Sequence, residues 1–567
     1  LYEQTLYKGE RNGKLLEGIE NRERTDCSMS SSLMRGTAIL TIGLFLSKAL
    51  GLFYLIPLYA IVGKESMGLY QYAYIPYNLF LSVAISGAPL AISKYVSKYN
   101  TLGDYATGRR LMKSGMWIMV FTGFVTFMTL YWMAEPIAQI VRSDEEQIYT
   151  LDEIASVIRW VSFALIIVPM LSISRGFFQG YNKMEPTAVS QLIEQIVRIA
   201  AVLGGAAFVI YIMNGTPAMA INFAVFAAFI GALAGLGVLY YYWKKYQVEF
   251  DILLDKSVST GENITLTSMY KEIFGYLVPF ILIGIIDPLY QFVDMVTFNK
   301  AMASIGLASV SDIYLGMLNL LTHKFVMIPV MVATGFSMAL IPVMTSYYTA
   351  NNKKGMTDSL DQTFQIMMYL TVPMVIGLVA LSDELYTFLY EKDAIGAQVL
   401  AEHAPISILM GLYLVTCAIL QGIDRHKWII VTSLVGLLVK MLVNIPLIQQ
   451  FETTGAIIGK ALGYGVTVGL NILIIVKVMD YHSKHVLRRL TLIMLLNVVM
   501  WIAVFFTLQG LNLFGEAMTR GKAFVYVFIT AIVGMVVYFG LSYKIGLLQK
   551  LFGDRIERIV GKLKGRA

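Results

Sequence analysis

Residues 221–239 read INFAVFAAFIGALAGLGVL, 19 positions without a charge. At 1.5 Å rise per residue, a helix of that length covers the roughly 30 Å hydrocarbon core of a bilayer. Comparable runs recur throughout the 567 residues, of which 57% are apolar and only 14% charged. Water-soluble chains carry about 45–50% apolar and about 25% charged residues. Mean hydropathy is +0.66. This balance excludes a soluble enzyme, a nucleic-acid-binding domain and a disordered chain. A transmembrane β-barrel is excluded too, because its strands alternate over about 10 residues, whereas apolar character here is continuous.

Fourteen spans are predicted, from 37–62 and 69–93 through 428–449 and 455–477 to 490–509 and 522–547. Their connections are short and sorted by charge. Lys94, Lys98, Arg109, Arg110 and Lys113 follow span 2, and Lys244, Lys245 and Lys256 follow span 6. Arg425 and Lys427 follow span 10, and Lys484, Arg488 and Arg489 follow span 12. The alternate loops are acidic, with Asp144, Glu145, Glu146, Asp152 and Glu153 in one and Asp383, Glu384, Glu391 and Asp393 in another. Basic loops stay on the cytoplasmic side, so both termini are expected there.

Gln179-Gly180-Tyr181-Asn182-Lys183 has a counterpart in Gln421-Gly422-Ile423-Asp424-Arg425. The same offset carries Arg198 onto Lys440. Pro76 and Pro89 are spaced like Pro329 and Pro342. Spans 1–6 and 7–12 therefore read as two parallel copies of one six-helix bundle. The expected fold is an all-α polytopic membrane protein of 14 transmembrane helices, two pseudo-symmetric six-helix lobes plus a C-terminal helix pair. Its expected parts are an N-terminal cytoplasmic tail (1–36), an N-lobe (37–243), a linker (244–271) and a C-lobe (272–477). A helix pair (490–547) and a basic amphipathic tail (548–567) complete it. Residues 1–28 are polar, lack a signal-peptide core and precede Met29, which reads as a natural start; they are expected to be an extension without function. Cys27 and Cys417 indicate no disulfide framework.

Charges inside spans are costly and mark function by default. The cations are Lys48, Arg198, Lys324, Lys440 and Lys460; the anions are Glu194, Asp287 and Asp294. The excess of cations suits an anionic cargo. Glu194 stands four residues before Arg198, the favourable order for a pair on one helix. Lys440 has Gly436 at the matching position, so it is expected to face a water-filled cavity. Asp287 and Asp294 share a face of span 7 and serve either as a coupling site for Na⁺ or H⁺, or as partners of Lys324 or Lys440 in a gate. Two motifs are set aside. Gly455–Lys460 imitates a phosphate loop but has the wrong spacing and lies in a span; Gly455, Gly459 and Gly463 read instead as a ladder for close helix contact. His482 and His485 have no third ligand nearby, so no metal is expected. Arg175, at a helix end, is expected to reach the lipid headgroups.

The stretch from Arg175 to Arg198, with Gly176-Phe177-Phe178-Gln179-Gly180 at its start, resembles the signature of the MOP superfamily of oligosaccharidyl-lipid and polysaccharide flippases. The run from Met29 to Ala38, with Ser47-Lys48 beyond it, is similar to the MurJ/YtgP branch, the bacterial lipid II flippases. The resemblance covers residues 29–550. It implies two lobes around a central cavity, a groove for the lipid tail along spans 13 and 14, and a pyrophosphate held by basic residues. Carried over by position, that role falls to Lys48 and Lys324; two further cavity arginines of the family are missing near Tyr54 and within Phe80–Ser82. Arg198 and Lys440 complete the expected headgroup site, with Asp287, Asp294 and Glu194 in coupling or gating.

The expected activity is transfer of undecaprenyl-pyrophosphate-linked peptidoglycan precursor (lipid II) from the inner to the outer leaflet of a bacterial plasma membrane by alternating access. No covalent chemistry, cofactor or nucleic acid is involved; Na⁺, H⁺ or the membrane potential supplies the drive. Three rivals stand beside it: a flippase for another lipid-linked polysaccharide (teichoic acid, capsule, spore cortex), a MATE-type cation or drug antiporter, and a membrane-embedded glycosyltransferase. Short outer loops argue against the last, and excess cations against the antiporter.

Overall fold

The computed structural model describes residues 43, 46–47, 50–51, 53–85, 87–143, 147–257, 266–481 and 484–552. Lys48, His482 and the basic tail beyond residue 552 lie outside them, as do the first 42 residues and part of the first predicted span. Among the described residues the chain is helical throughout, and eleven helices are long and apolar enough to cross a membrane. One of these, His426–Met479, has 54 residues. A straight helix of that size would measure about 80 Å, far beyond a bilayer. It breaks at Glu452, where φ is 53° and ψ is −126°, giving two spans where the sequence predicts two. Leu55–Ile85 breaks in the same way at Gly63, φ 80° and ψ 168°, a conformation that glycine adopts without a Cβ clash.

Helix starts follow local chemistry. Thr150 and Glu153 form a reciprocal capping box before Leu151–Ser162. Asp104, Thr216, Asn352 and Thr519 each accept a hydrogen bond from a first-turn amide. Prolines sit inside several helices, and Pro76, Pro169 and Pro329 are buried there against neighbouring helices, which enclose the backbone they disturb.

The two copies of the repeated pentapeptide adopt one turn. Asn182 and Asp424 both have φ 56°. Lys183 N donates to Phe178 O at 2.9 Å and Arg425 N to Leu420 O at 2.8 Å. The glycine before each turn admits a neighbouring helix. A Cβ on Gly180 would stand 2.7 Å from Val96 Cβ, and one on Gly422 2.4 Å from Met344 Cβ. The internal repeat in sequence is therefore also a repeat in packing.

Helix Leu266–Ala303 packs against His426–Met479 and against Leu55–Ile85, so it touches both halves of the molecule. The two arms of His426–Met479 approach so closely that a Cβ on Gly436 would meet Gly463 O at 2.4 Å. Leu55–Ile85 crosses Ala308–Gly316 with comparable closeness, Gly316 facing the backbone of Gly68. Beside that crossing, Asp312 is fully buried; Tyr72 Oη donates to its Oδ1 at 2.5 Å and the Ile148 amide to its Oδ2 at 3.2 Å. The halves are thus sealed together at the end that carries the acidic loops.

Candidate functional site

Directly beyond this seal lies a cavity of about 670 Å³, within the usual size range for a ligand site. Leu55–Ile85 lines it from Tyr70 to Ser82, about 18 Å along that helix. The opposite wall comes from Ala308–Thr349. There a π-helical stretch, Met317–Thr322, interrupts the α-helix just before His323; such widened turns re-aim side chains and recur at functional sites. Asn319, His323 and Lys324 all reach the cavity. Met184–Ala207 adds Gln195 and Arg198, and Leu266–Ala303 adds Asp287 and Gln291.

Two cations define the cavity chemically. Arg198 Nη2 donates to Tyr74 Oη at 2.5 Å, with its guanidinium 5.3 Å from the centre of that ring. Its Nε has no hydrogen-bond partner. Among the described residues neither Arg198 nor Lys324 is paired with a carboxylate. The lining anion, Asp287, is engaged elsewhere: its Oδ2 accepts from Gln291 Nε2 at 2.7 Å and lies 3.4 Å from His323 Nε2.

The expected pairings are partly redrawn. Glu194 does not neutralise Arg198. Its Oε2 accepts from Arg175 Nη2 at 2.7 Å, and Arg175 also donates to Ser190 at 2.8 Å. Arg175 therefore points into the protein rather than to headgroups, which releases Arg198 to the cavity. Lys440 departs from expectation in the other direction. It does not line the cavity; its side chain is 0% exposed and its Nζ donates to Asp294 Oδ1 at 2.6 Å, Asn444 Oδ1 at 3.1 Å and Ala456 O at 3.3 Å. Asp294 is thereby occupied, and the Lys440–Asp294 pair clamps Leu266–Ala303 to both arms of His426–Met479. Lys460 is also buried, its ammonium without a hydrogen-bond partner among the described residues. Lys48 lies outside the described residues.

His323 escaped the sequence reading, which weighed lysines and arginines. The available signal was an ionisable ring in the middle of an apolar span, beside Lys324.

An all-helical membrane protein with paired bundles and a cationic cavity between them has the build of a membrane transporter. Residues 33–348 match the family described as polysaccharide biosynthesis protein, and residues 279–445 match MatE. The chain is 40% identical over 534 residues to the lipid II flippase MurJ of Bacillus subtilis, covering 93% of this chain and 98% of that one. It is 24% identical to stage V sporulation protein B of the same organism, over 72% of this chain and 76% of that one. Among solved structures, lipid II flippase MurJ in an inward closed conformation superposes with a TM-score of 0.62 at 15% identity, over 90% and 99% of the two chains. An inward-facing multidrug resistance MATE transporter gives 0.60 at 13% identity, over 78% and 98%. The chain belongs to the MurJ family.

Proposed function

We propose that this protein flips lipid II, the undecaprenyl-pyrophosphate-linked peptidoglycan precursor, from the inner to the outer leaflet of the bacterial plasma membrane. It is a transporter, not an enzyme. The observation that carries the reading is the pairing of Arg198 and Lys324 in one cavity between the halves, both free of carboxylate partners among the described residues. An arginine supplies a planar fork for phosphate oxygens and a lysine a compact charge. Lys48, one of the two lysines assigned by family position, completes the proposed grip.

The cargo's diphosphate would sit on these cations while its polyprenyl tail stays in lipid along Lys484–Asn512 and Arg520–Lys544. With basic loops inside, the sealed end faces outward, and rocking of the halves would open it. The membrane potential assists: two negative charges moving outward across 100 mV, inside negative, release about 4–5 kcal/mol. Asp287 is the remaining candidate for ion coupling, since Asp294 is committed to Lys440.

The cationic lining disfavours cationic drugs as cargo, and 40% identity to a lipid II flippase supports that headgroup over teichoic acid, capsule or spore cortex. Depletion of the protein in its own cell tests the assignment. Lipid II should accumulate on the inner leaflet; accumulation of a different lipid-linked sugar with normal lipid II export contradicts it.

A further inference from the structure

The described part of the cavity lining does not by itself balance a lipid-linked diphosphate; Lys48, assigned to the grip by family position, lies outside it. Among the described lining residues Arg198 and Lys324 are positive and Asp287 negative, leaving one net positive charge. A diphosphate esterified at both ends carries two negative charges and does not titrate near neutral pH. Among those lining residues, the side chain that gains a charge by taking a proton in that range is His323.

We propose that His323 is a proton-binding site that charges as the diphosphate settles on Arg198 and Lys324; this rests on the reading of the cavity given above. The ring is well placed for it. His323 Nε2 faces Asp287 Oδ2 at 3.4 Å and Gln291 Nε2 at 3.2 Å, while Nδ1 is buried without a hydrogen-bond partner among the described residues. His403 stands behind, ring centre to ring centre 6.1 Å. It is fully buried, with Nδ1 held 2.9 Å from Thr322 Oγ1 and Nε2 without a hydrogen-bond partner among the described residues.

The charged and titratable groups around His323 come from every packed element. Asp287 and Tyr464 stand on the Asp287 side, joined at 3.4 Å. Lys324 is its chain neighbour, and Lys460 acts on both His323 and Asp287. The Lys440–Asp294 pair lies farther off and is internally neutral. The imidazole thus sits between one carboxylate and two ammonium groups. An arriving dianion reverses the sign of that surrounding, and one proton passes from water to the ring; it returns to water when the cargo leaves.

Calorimetric titration of the full chain in detergent with a short-chain lipid II analogue, at neutral pH in buffers of different ionisation enthalpy, counts the protons. The wild type should take up about one proton per ligand. His323→Gln should bind with little uptake, and His403→Gln, whose ring does not line the cavity, should keep it. Binding without proton uptake in the wild type overturns the proposal, as does unchanged uptake in His323→Gln or its loss in His403→Gln. Absence of binding in the wild type instead overturns the cavity reading. Should the variants not fold, the wild-type affinity decides: it should fall as pH rises from about 6 to about 8, and a flat profile contradicts the site.

Discussion

Tyr59 Oη donates to Glu391 Oε1 at 2.7 Å, joining residues 332 positions apart. The contact is one tooth of a zipper. Tyr390 O accepts from Arg520 Nε at 2.8 Å, Glu391 meets Tyr59, Lys392 Nζ donates to Glu516 Oε2 at 2.6 Å, and Asp393 pairs with Lys64. Tyr390 and Lys392 therefore hold the C-terminal helix pair, while Glu391 and Asp393 hold the first half of the molecule.

If this zipper keeps the outer side shut, Tyr59→Phe combined with Asp393→Asn should favour the outward-open state. A cysteine placed at Asn319, in the cavity, should then react several-fold faster with an impermeant thiol reagent added outside. With Cys27 replaced by Ser, the fully buried Cys417 provides the unreactive background. An unchanged labelling rate contradicts the gating role.

The zipper should also survive mild acid. Burial opposes ionisation of Asp393, but the hydrogen bonds from Lys64 and from the Gly396 and Ile395 amides outweigh it and hold the carboxyl below the usual carboxylate range. A depressed folded value means the stabilisation is complete above the unfolded value near 4 and disappears only as pH falls through the lower one. External labelling of the Asn319→Cys protein should therefore not rise between about pH 7 and about pH 5. A rise in that window, reproduced in the Asp393→Asn background, shows that another group titrates at the seal.

Lys440 and Asp294 should behave as a structural unit. Removing one partner of a fully buried pair leaves an uncompensated charge, at a loss of about 3–5 kcal/mol. Lys440→Met should lower the thermal midpoint in detergent sharply, and the double replacement with Asp294→Leu should recover much of it. Equal loss in single and double variants contradicts the pairing.

Much of the architecture was legible because it follows from periodicity and charge. The break at Glu452 divides His426–Met479 close to the boundary between the spans predicted at 428–449 and 455–477. The repeated pentapeptide returned as two matching turns because its Gln-Gly and Asn or Asp positions dictate backbone shape locally. Side-chain partnership was less legible. Spacing placed Glu194 within reach of Arg198, yet Arg175 on the preceding helix competes for the same carboxylate and wins. Gly436 truthfully signalled that Lys440 lacks a carboxylate partner on its own helix; that partner is Asp294 on Leu266–Ala303, 146 residues earlier, one of the alternatives that the sequence left open. Which distant helix faces which is a product of packing, invisible to spacing along one chain.

A double-mutant cycle separates the two readings of Glu194. Arg175→Gln with Glu194→Gln should give a coupling of about 1–3 kcal/mol in unfolding experiments. The cycle of Arg198→Gln with Glu194→Gln should give nearly none. The reverse order contradicts the observed pair.

The most direct measurement is movement of fluorescent lipid II across proteoliposomes that contain the purified protein and carry a potential. Lys324→Ala and Arg198→Ala should each slow transfer at least about 10-fold, the loss of a charge-assisted contact of 1.4 kcal/mol or more, while Lys324→Arg keeps most of it. Full transfer rates in the Lys324→Ala, Arg198→Ala double variant would mean that the diphosphate travels by some route other than this cavity.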